Sequence, residues 1–470
     1  MSVMLRSRRR GIVTRGIAPL VILGLCATLT AACGSDDSSG PAASGSGAAG
    51  GSGDAVGDPS PGVTATTVKV GFVIADRGQL SANLGFKSVQ PGTVEVRTAG
   101  INAIVNAINV NGGVGGRQIE PVIRVYQSAQ DSPEAAEALC RDFTQDAEVF
   151  AVYLDGQLQN NARPCYKTNK TIMLDGTVIG IDQTDFQNFG GYLWSPTNPE
   201  YGSFIKAQLT YAQQKGFFNG VTGVQLLVAD DEVSRRVTES IVKPVLQQAG
   251  VTRVDTNFIN SSNAGTLGAT ITTAMNAGIS NKLDRAIAVG GARIVPVAIS
   301  SQEANDWKAL WGVSTFDNPT FLQNNRNSYV PERFPGMIGI GFDPTIDVDD
   351  QEFPFPDPSN PQQVLCKQIV DSGGATPPTG AKVNYNSILK TCDAVFFLKA
   401  VLDRAPKELT VQAFTTAAAT VGSAYRSSLT FGSFTGPNVY APTNATRGLA
   451  WDSAKSVFVY ESTTVPLQAQ

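Results

Sequence analysis

The sequence predicts an α/β fold of two lobes, each built on a parallel sheet. Short apolar runs alternate with stretches whose apolar residues recur at helical spacing. The part able to fold, from Val63 to Gln470, is roughly 400 residues, more than one ordinary core holds. The alternation also resets near residue 190, as if a second unit began there.

The N-terminus stands apart. Arg6, Arg8, Arg9, Arg10 and Arg15 precede an apolar run from Ile17 to about Leu29, with no acidic residue among them. A basic head, a short apolar segment and small residues before a cut make a secretory signal. The run is too short for a comfortable membrane span. Leu29-Thr-Ala-Ala-Cys33 resembles a bacterial lipobox, with Thr30 in the slot usually held by Leu. Cys33 is therefore expected to be lipidated; an ordinary cleaved signal is the alternative. Ser7-Arg8-Arg9 also hints at twin-arginine export, without the usual Phe-Leu behind it. Residues 1–32 are read as signal peptide. Residues 33–62, nearly all Gly, Ser, Ala, Asp and Pro, are read as a flexible tether.

The first unit then follows in order. Thr67–Ala75 is apolar enough for a strand buried on both faces. Ile101, Ile104, Val105 and Ile108 form one helical stripe, closed at Asn111-Gly-Gly113. Ile119–Tyr126 is a strand. Ser132-Pro133-Glu134 starts a helix with a hydroxyl cap, a proline at the first position and an acid in the first turn. Strands at Val149–Leu154 and Thr171–Leu174 flank a helix at Asn161–Asn169. Strands separated by helices of this length imply right-handed βαβ units.

After a short extended piece at Tyr192–Trp194 the pattern repeats. Helices are expected at Tyr201–Lys215, at Glu232–Gln248 with a break or kink near Pro244, at Ala264–Gly278 and at Ile294–Gln302. Strands are expected at Gly223–Ala229, Val251–Phe258, Arg285–Val289 and Met337–Gly341. A proline-rich loop precedes helices near Gln362–Asp371, Asn384–Arg404 and Leu409–Val421. The tail from Leu429 to Tyr460 reads as strands, with turns at Gly436-Pro437 and Asp452-Ser453.

Charge and residue usage exclude several classes. Removing residues 1–32 leaves 31 basic against 40 acidic residues, a net of −9 with no basic cluster, so nucleic acid is not an expected partner. There is no His, hence no Ser-His-Asp triad, Cys-His dyad or HExxH zinc site. Neither a P-loop nor GxGxxG occurs. Ser203-Phe-Ile-Lys206 matches SxxK, but the companion SDN and KTG motifs are missing. Catalysis is therefore not expected, and neither is a cofactor or metal. Beyond Cys33, the even set Cys140, Cys165, Cys366 and Cys392 suits an oxidising compartment. Nearest-neighbour pairing gives Cys140–Cys165 and Cys366–Cys392; zinc, the rival use, has neither CxxC nor His to support it.

The stretch from Ile101 to Tyr126 contains Asn-Gly-Gly-Val-Gly-Gly-Arg117 and runs into a strand. It resembles the signature of the leucine/isoleucine/valine-binding protein family, the type I periplasmic binding proteins of ABC uptake systems. Gln127–Leu139 is similar to the polar loop and Pro-Glu-Ala helix that follow it there, and the order of elements resembles the family to the C-terminus. The resemblance implies two Rossmann-like lobes with parallel sheets, joined by a three-crossover hinge. One lobe is placed at 63–190 with 345–432, the other at 191–335 with 433–465. It further implies an exported, lipid-anchored monomer that traps a small-molecule solute and presents it to an ABC permease. A ligand-sensing lipoprotein that signals without transport is the alternative.

Ligands of open α/β sheets sit beyond the carboxyl ends of the strands. That nominates Gln79, Asp155, Gln157, Asp175 and Thr177 in the first lobe and Asp231 and Arg293 in the second. Tyr385 joins them, because its helix faces the cleft in the family. Asp175 and Asp231 could equally be local caps, and Arg293 a solvated helix start. Amino-acid binders of the family carry Ser/Thr-rich segments where Asp155-Gly-Gln157 and Asp175-Gly-Thr177 stand here, and an acid soon after the position of Gly290-Gly291. These departures disfavour an ordinary aliphatic amino acid; the expected solute is a small polar or anionic organic molecule of the amino acid, amide or carboxylate class, and Arg293 would favour an anionic group. Asp343, Asp347, Asp349, Asp350, Glu352 and Asp357 fit no EF-hand and are read as an exposed acidic loop.

Overall fold

A computed structural model describes residues 60–78, 92–261, 263–291, 293–301, 306–329 and 331–467. Gln79, Cys33, the signal segment and most of the tether lie outside them.

The first sheet holds β1 (Thr67–Asp76), β2 (Gln118–Gln127), β3 (Ala151–Leu154), β4 (Ile172–Asp175) and β5 (Leu193–Trp194). All pairs are parallel, in the order β2-β1-β3-β4-β5. One face is covered by α1 (Val94–Val110), whose stripe Ile101, Ile104, Val105 and Ile108 is buried as its spacing demands. The other face packs on α2 (Pro133–Arg141) and α3 (Arg163–Thr168) through Leu139, Tyr166 and Phe143.

The second sheet contains β6 (Val224–Ala229), β7 (Val254–Ile259), β8 (Arg285–Val289), β9 (Leu310–Ser314) and β10 (Ile338–Gly341), then the hairpin β11 (Ala445–Asp452) and β12 (Val457–Pro466). Its order is β12-β11-β10-β9-β8-β6-β7. The first five strands run parallel, and the two from the tail add antiparallel to β10. Their parallel part, β7-β6-β8-β9-β10, repeats the order of the first sheet. The chain therefore builds one doubly wound unit twice.

Between the two sheets the chain crosses three times. Trp194 leads into the helix α5 (Tyr201–Gln214). Gly341 leads through α11 (Pro344–Asp347) to α12 (Pro361–Ser372), α13 (Lys382–Leu402) and α14 (Val411–Ala418), which finish the first lobe's core. The segment after Leu429 returns to β11. Crossing segments are tied to one another: Ser195 N–H donates to Tyr440 O (2.9 Å), and the Thr443 hydroxyl to Thr197 O (3.0 Å).

Both disulfides pair as the spacing proposed. Cys140–Cys165 joins α2 to α3, and Cys366–Cys392 joins α12 to α13.

The helix from Glu232 is interrupted just ahead of Pro244, in keeping with the expected break or kink. It runs as α6 (Glu232–Val237), a π turn (Thr238–Val242) and α7 (Lys243–Gln248). In the wider turn just ahead of the proline, Lys243 N–H donates to Thr238 O, and the proline nitrogen that follows has no hydrogen to donate. Other expectations need correction. Three elements were not foreseen: α4 (Gln183–Phe189), strand β9 and α10 (Pro319–Asn324). Each is short, α4 is mostly polar and β9 carries Gly312, so periodicity says little there. The acidic loop is not uniformly exposed, because Asp343 and Asp347 are wholly buried. Asp347 Oδ2 accepts from the Tyr460 and Thr315 hydroxyls (2.8 and 3.0 Å), and Asp343 Oδ1 caps α11 through Thr345. Burial pushes both carboxyls above their ordinary pKa.

Candidate functional site: two strand-end clusters

In a doubly wound sheet the order reverses at one place, and the loops that diverge there leave a crevice. The first sheet reverses between β1 and β3, the second between β6 and β8. Asp76 and Asp155 follow one reversal; Asp231, Gly290 and Arg293 follow the other.

At the first, Asp155 is buried and receives Arg97 of α1 through Nη2; Arg77 stands 3.6 Å from its other oxygen. Arg97 also donates to Ala75 O (2.7 Å), so it ties α1 to both β1 and the loop after β3. Gly156 turns this loop at φ +74°, where a Cβ would lie 2.4 Å from Ala75 Cβ and 2.7 Å from the Arg77 guanidinium. Only glycine lets the chain pass there.

Beside it, Asp175 ends β4. Its Oδ2 takes Arg163 Nη2 at 2.9 Å, and its Oδ1 takes the Thr177 N–H and hydroxyl at 2.8 and 2.6 Å. These two nominees bond each other, so Asp175 sets the loop's shape. Gln157 is buried, and its Oε1 has no hydrogen-bond partner.

In the second lobe Asp231 is the N-cap of α6, accepting Ser234 N–H and hydroxyl at 2.8 Å each. The local-cap alternative therefore describes its contacts, and burial raises its pKa. Gly290 N–H donates to the Tyr201 hydroxyl, and φ +71° beside Ser234 leaves no room for a Cβ. Arg293 makes no hydrogen bond or ion pair among the described residues. Burial lowers its pKa, opposed by Asp131 and reinforced by Arg77, both of the first lobe. Its guanidinium is thus within electrostatic reach of the opposite lobe.

Tyr385 does not join this constellation. Its ring is buried in the first lobe's core against Phe355 (5.0 Å), and its hydroxyl donates to Asp371 of α12 (2.7 Å). One and a half turns further along α13, Lys390 reaches the strand ends instead, its Nζ donating to Gly176 O at 3.4 Å. Burial pulls this ammonium below its ordinary pKa, against the pull of Asp155, Asp343 and Asp175.

Sequence reading also missed Arg97, Arg163 and Arg236. Arg97 was detectable: it lies four residues before Ile101 on the same apolar stripe, a charge where the helix should be greasy. Lys390 likewise interrupts Ile388-Leu389 and Ala394-Val395. Among the described residues no group of three His, Cys, Asp or Glu is placed to hold a metal, and no helix is long and apolar enough to cross a membrane.

No protein-family model matches the chain, and no curated protein matches it. Solved structures do. A solute-binding protein of an ABC transporter from R. palustris, in complex with 4-hydroxybenzoate, is 14% identical with a TM-score of 0.60; the match spans 86% of this chain and 98% of that one. A fatty acid ABC transporter substrate-binding protein from Thermomonospora curvata is 15% identical with a TM-score of 0.57, over 87% and 94%. A possible leucine/isoleucine/valine-binding protein from Rhodopirellula baltica SH 1 is 13% identical with a TM-score of 0.55, over 86% and 97%. The chain has the type I periplasmic binding protein fold.

Around the two reversals the described side chains are strongly charged: Arg77, Arg97, Arg163, Lys390 and Arg293 with Asp131, Asp155, Asp175 and Asp231, of which Arg97, Arg163, Lys390, Asp155 and Asp175 are buried. Most of these charges are already paired. Arg293 and Gln157 retain unbonded polar atoms.

Proposed function

We propose that this chain is an extracytoplasmic, lipid-anchored receptor of an ABC uptake system that closes its lobes on a small polar or anionic organic solute. Arg293 carries this reading. A half-buried guanidinium, with no hydrogen bond among the described residues and within electrostatic reach of the opposite lobe, is suited to a carboxylate held by paired N–H donors. Lys390 adds a second buried cation at the floor of the first lobe. Asp175, Thr177 and Asp231 serve here as the shell that positions the strand-end loops, whereas Gln157 and Arg293 meet the solute. Among proteins of like fold, one is in complex with 4-hydroxybenzoate, one is named for fatty acids and one as a possible leucine/isoleucine/valine-binding protein, which supports a small organic acid or amino acid as the solute.

Two experiments test this. A thermal-shift screen of the protein from residue 34 onward should show a melting shift with carboxylic acids. A ligand at about 100 times its Kd adds roughly 2.7 kcal/mol to folding. Arg293→Gln should abolish the shift while leaving the unliganded melting temperature nearly unchanged. A flat response across amino acids, amides, urea and aliphatic and aromatic acids sinks the reading. Separately, Cys33→Ser should abolish labelling by a fatty-acid tracer and release the protein from the membrane.

A further inference from the structure

A cavity of about 20 Å³ lies against the carboxyl ends of β3 and β4, on the face covered by α2 and α3. Its walls are in part apolar, with Leu139, Leu154 and Tyr166 among them. Five polar side chains also line it: Gln159, Asp175 and Thr177, together with Gln157 and Arg163, which are 4% and 3% exposed. Each of the last two has a buried atom without a hydrogen-bond partner among the described residues. Arg163 uses Nη2 on Asp175, but Nη1 has no hydrogen-bond partner and stands 3.6 Å from Asp185. Gln157 Oε1 has none either. A buried polar atom without a partner costs about 1–3 kcal/mol, so two around one small space are there to be met.

The chemistry of what meets them is narrow. The volume admits about one non-hydrogen atom. An ammonium would meet the Arg163 guanidinium, while the Asp175 carboxylate beside it is already engaged by Arg163 and Thr177. A carboxylate is too large, and its oxygen would oppose the Gln157 carbonyl. A hydroxyl fits: it accepts from Arg163 Nη1 and donates to Gln157 Oε1, and because it does both it also suits the reversed amide.

We propose that this cavity is a hydroxyl subsite of the cleft, so that the solute is a hydroxylated organic acid, its anionic end facing Arg293. The proposal rests on the reading of the chain as a receptor for organic anions. Gln157 and Arg163 select the hydroxyl: a solute lacking it leaves both buried groups unmet, and that deficit is the discrimination.

The test is calorimetric titration of the protein from residue 34 onward with matched acids: propionate and lactate, butyrate and 3-hydroxybutyrate, benzoate and 4-hydroxybenzoate. In at least one pair the hydroxylated member should bind about tenfold tighter or more. Gln157→Leu, of similar volume, should bring that ratio to about one. A crystal structure with the tighter acid should place its hydroxyl oxygen between Gln157 and Arg163. Equal affinities within every pair, a preference that survives Gln157→Leu, or an isolated water at that position would overturn the subsite while leaving the anion reading standing. Absence of binding by every acid would overturn both.

Discussion

Arg236 of the second lobe grips Asp182 of the first through two hydrogen bonds, Nε to Oδ2 at 2.6 Å and Nη2 to Oδ1 at 2.8 Å. The same guanidinium reaches Asp185 at 2.8 Å, and Asp185 is the carboxylate near Arg163. A line of charge thus runs from the loop after β4 to α6. Asp182 also caps α4, so Asp182→Asn keeps the cap while removing the charge. Arg236→Gln and Asp182→Asn should each destabilise the protein, with a coupling of about 1–3 kcal/mol in a double-mutant cycle. Either change should also raise the radius of gyration of the ligand-free protein in X-ray scattering. Additive effects and an unchanged radius would show that the contact does not hold the lobes together.

Asp155 and Arg97 are both nine-tenths buried or more. Removing one partner strands the other, so Asp155→Asn should cost about 3–5 kcal/mol in denaturant unfolding. Replacing both, with Asp155→Leu and Arg97→Met, should recover much of that loss, because a buried pair pays back little beyond its own desolvation. A double variant as unstable as the single one would contradict this.

Asp317 gives a pH test. Buried at the end of β9 and bonded only to Ser314, its carboxyl is pushed up to about 7. The unfolded chain titrates near the ordinary carboxylate value, so from about pH 4 to 7 the folded state holds the extra proton. Stability from this group is therefore full at low pH and lost as pH rises through 7. Asp317→Asn should match wild type near pH 4 and gain on it by roughly 1–4 kcal/mol by pH 8. Parallel melting curves for the two proteins across that range would refute it.

Much of this fold could be read from the residues, and for a stateable reason. Long buried strands such as β1 and capped helices such as α2 carry their own signal: an unbroken apolar run, or Ser132 with Pro133 behind it. Elements whose shape comes from neighbours do not. The polar α4 is held by Phe186 and an ionic cap that pairs with another lobe. The site was half legible for the same reason. Strand ends pointed to Asp155, Gln157 and Arg293, but nothing local says that Asp175 and Thr177 bond each other. Nor does position 385 announce that its hydroxyl belongs to Asp371, or that Lys390 is the residue of α13 reaching Gly176.

The disulfides make a fourth test. Each closes a loop of about two dozen residues, Cys140–Cys165 over 25 and Cys366–Cys392 over 26. Paired Cys→Ser variants should lose about 3 kcal/mol each by loop-closure entropy. Because the bridges lie in the first lobe, Arg236 should still bind Asp182, and the scattering radius should stay at the wild-type value. A loss below 1 kcal/mol would mean the unfolded chain is little constrained by them.

The tail hairpin has a bearing on how the protein is made. A ribosome delivers β10 long before β11 and β12, the latest strands of the second sheet among the described residues. Until they arrive, β10 is an open sheet edge, and such edges invite pairing with any strand nearby. The helices that complete the first lobe arrive late as well, after all five parallel strands of the second. Neither lobe can therefore mature on its own while synthesis proceeds. A chain lacking β11 and β12 would be a sticky fragment instead of a merely weakened protein, and the nascent chain must be kept apart from its copies until that hairpin emerges.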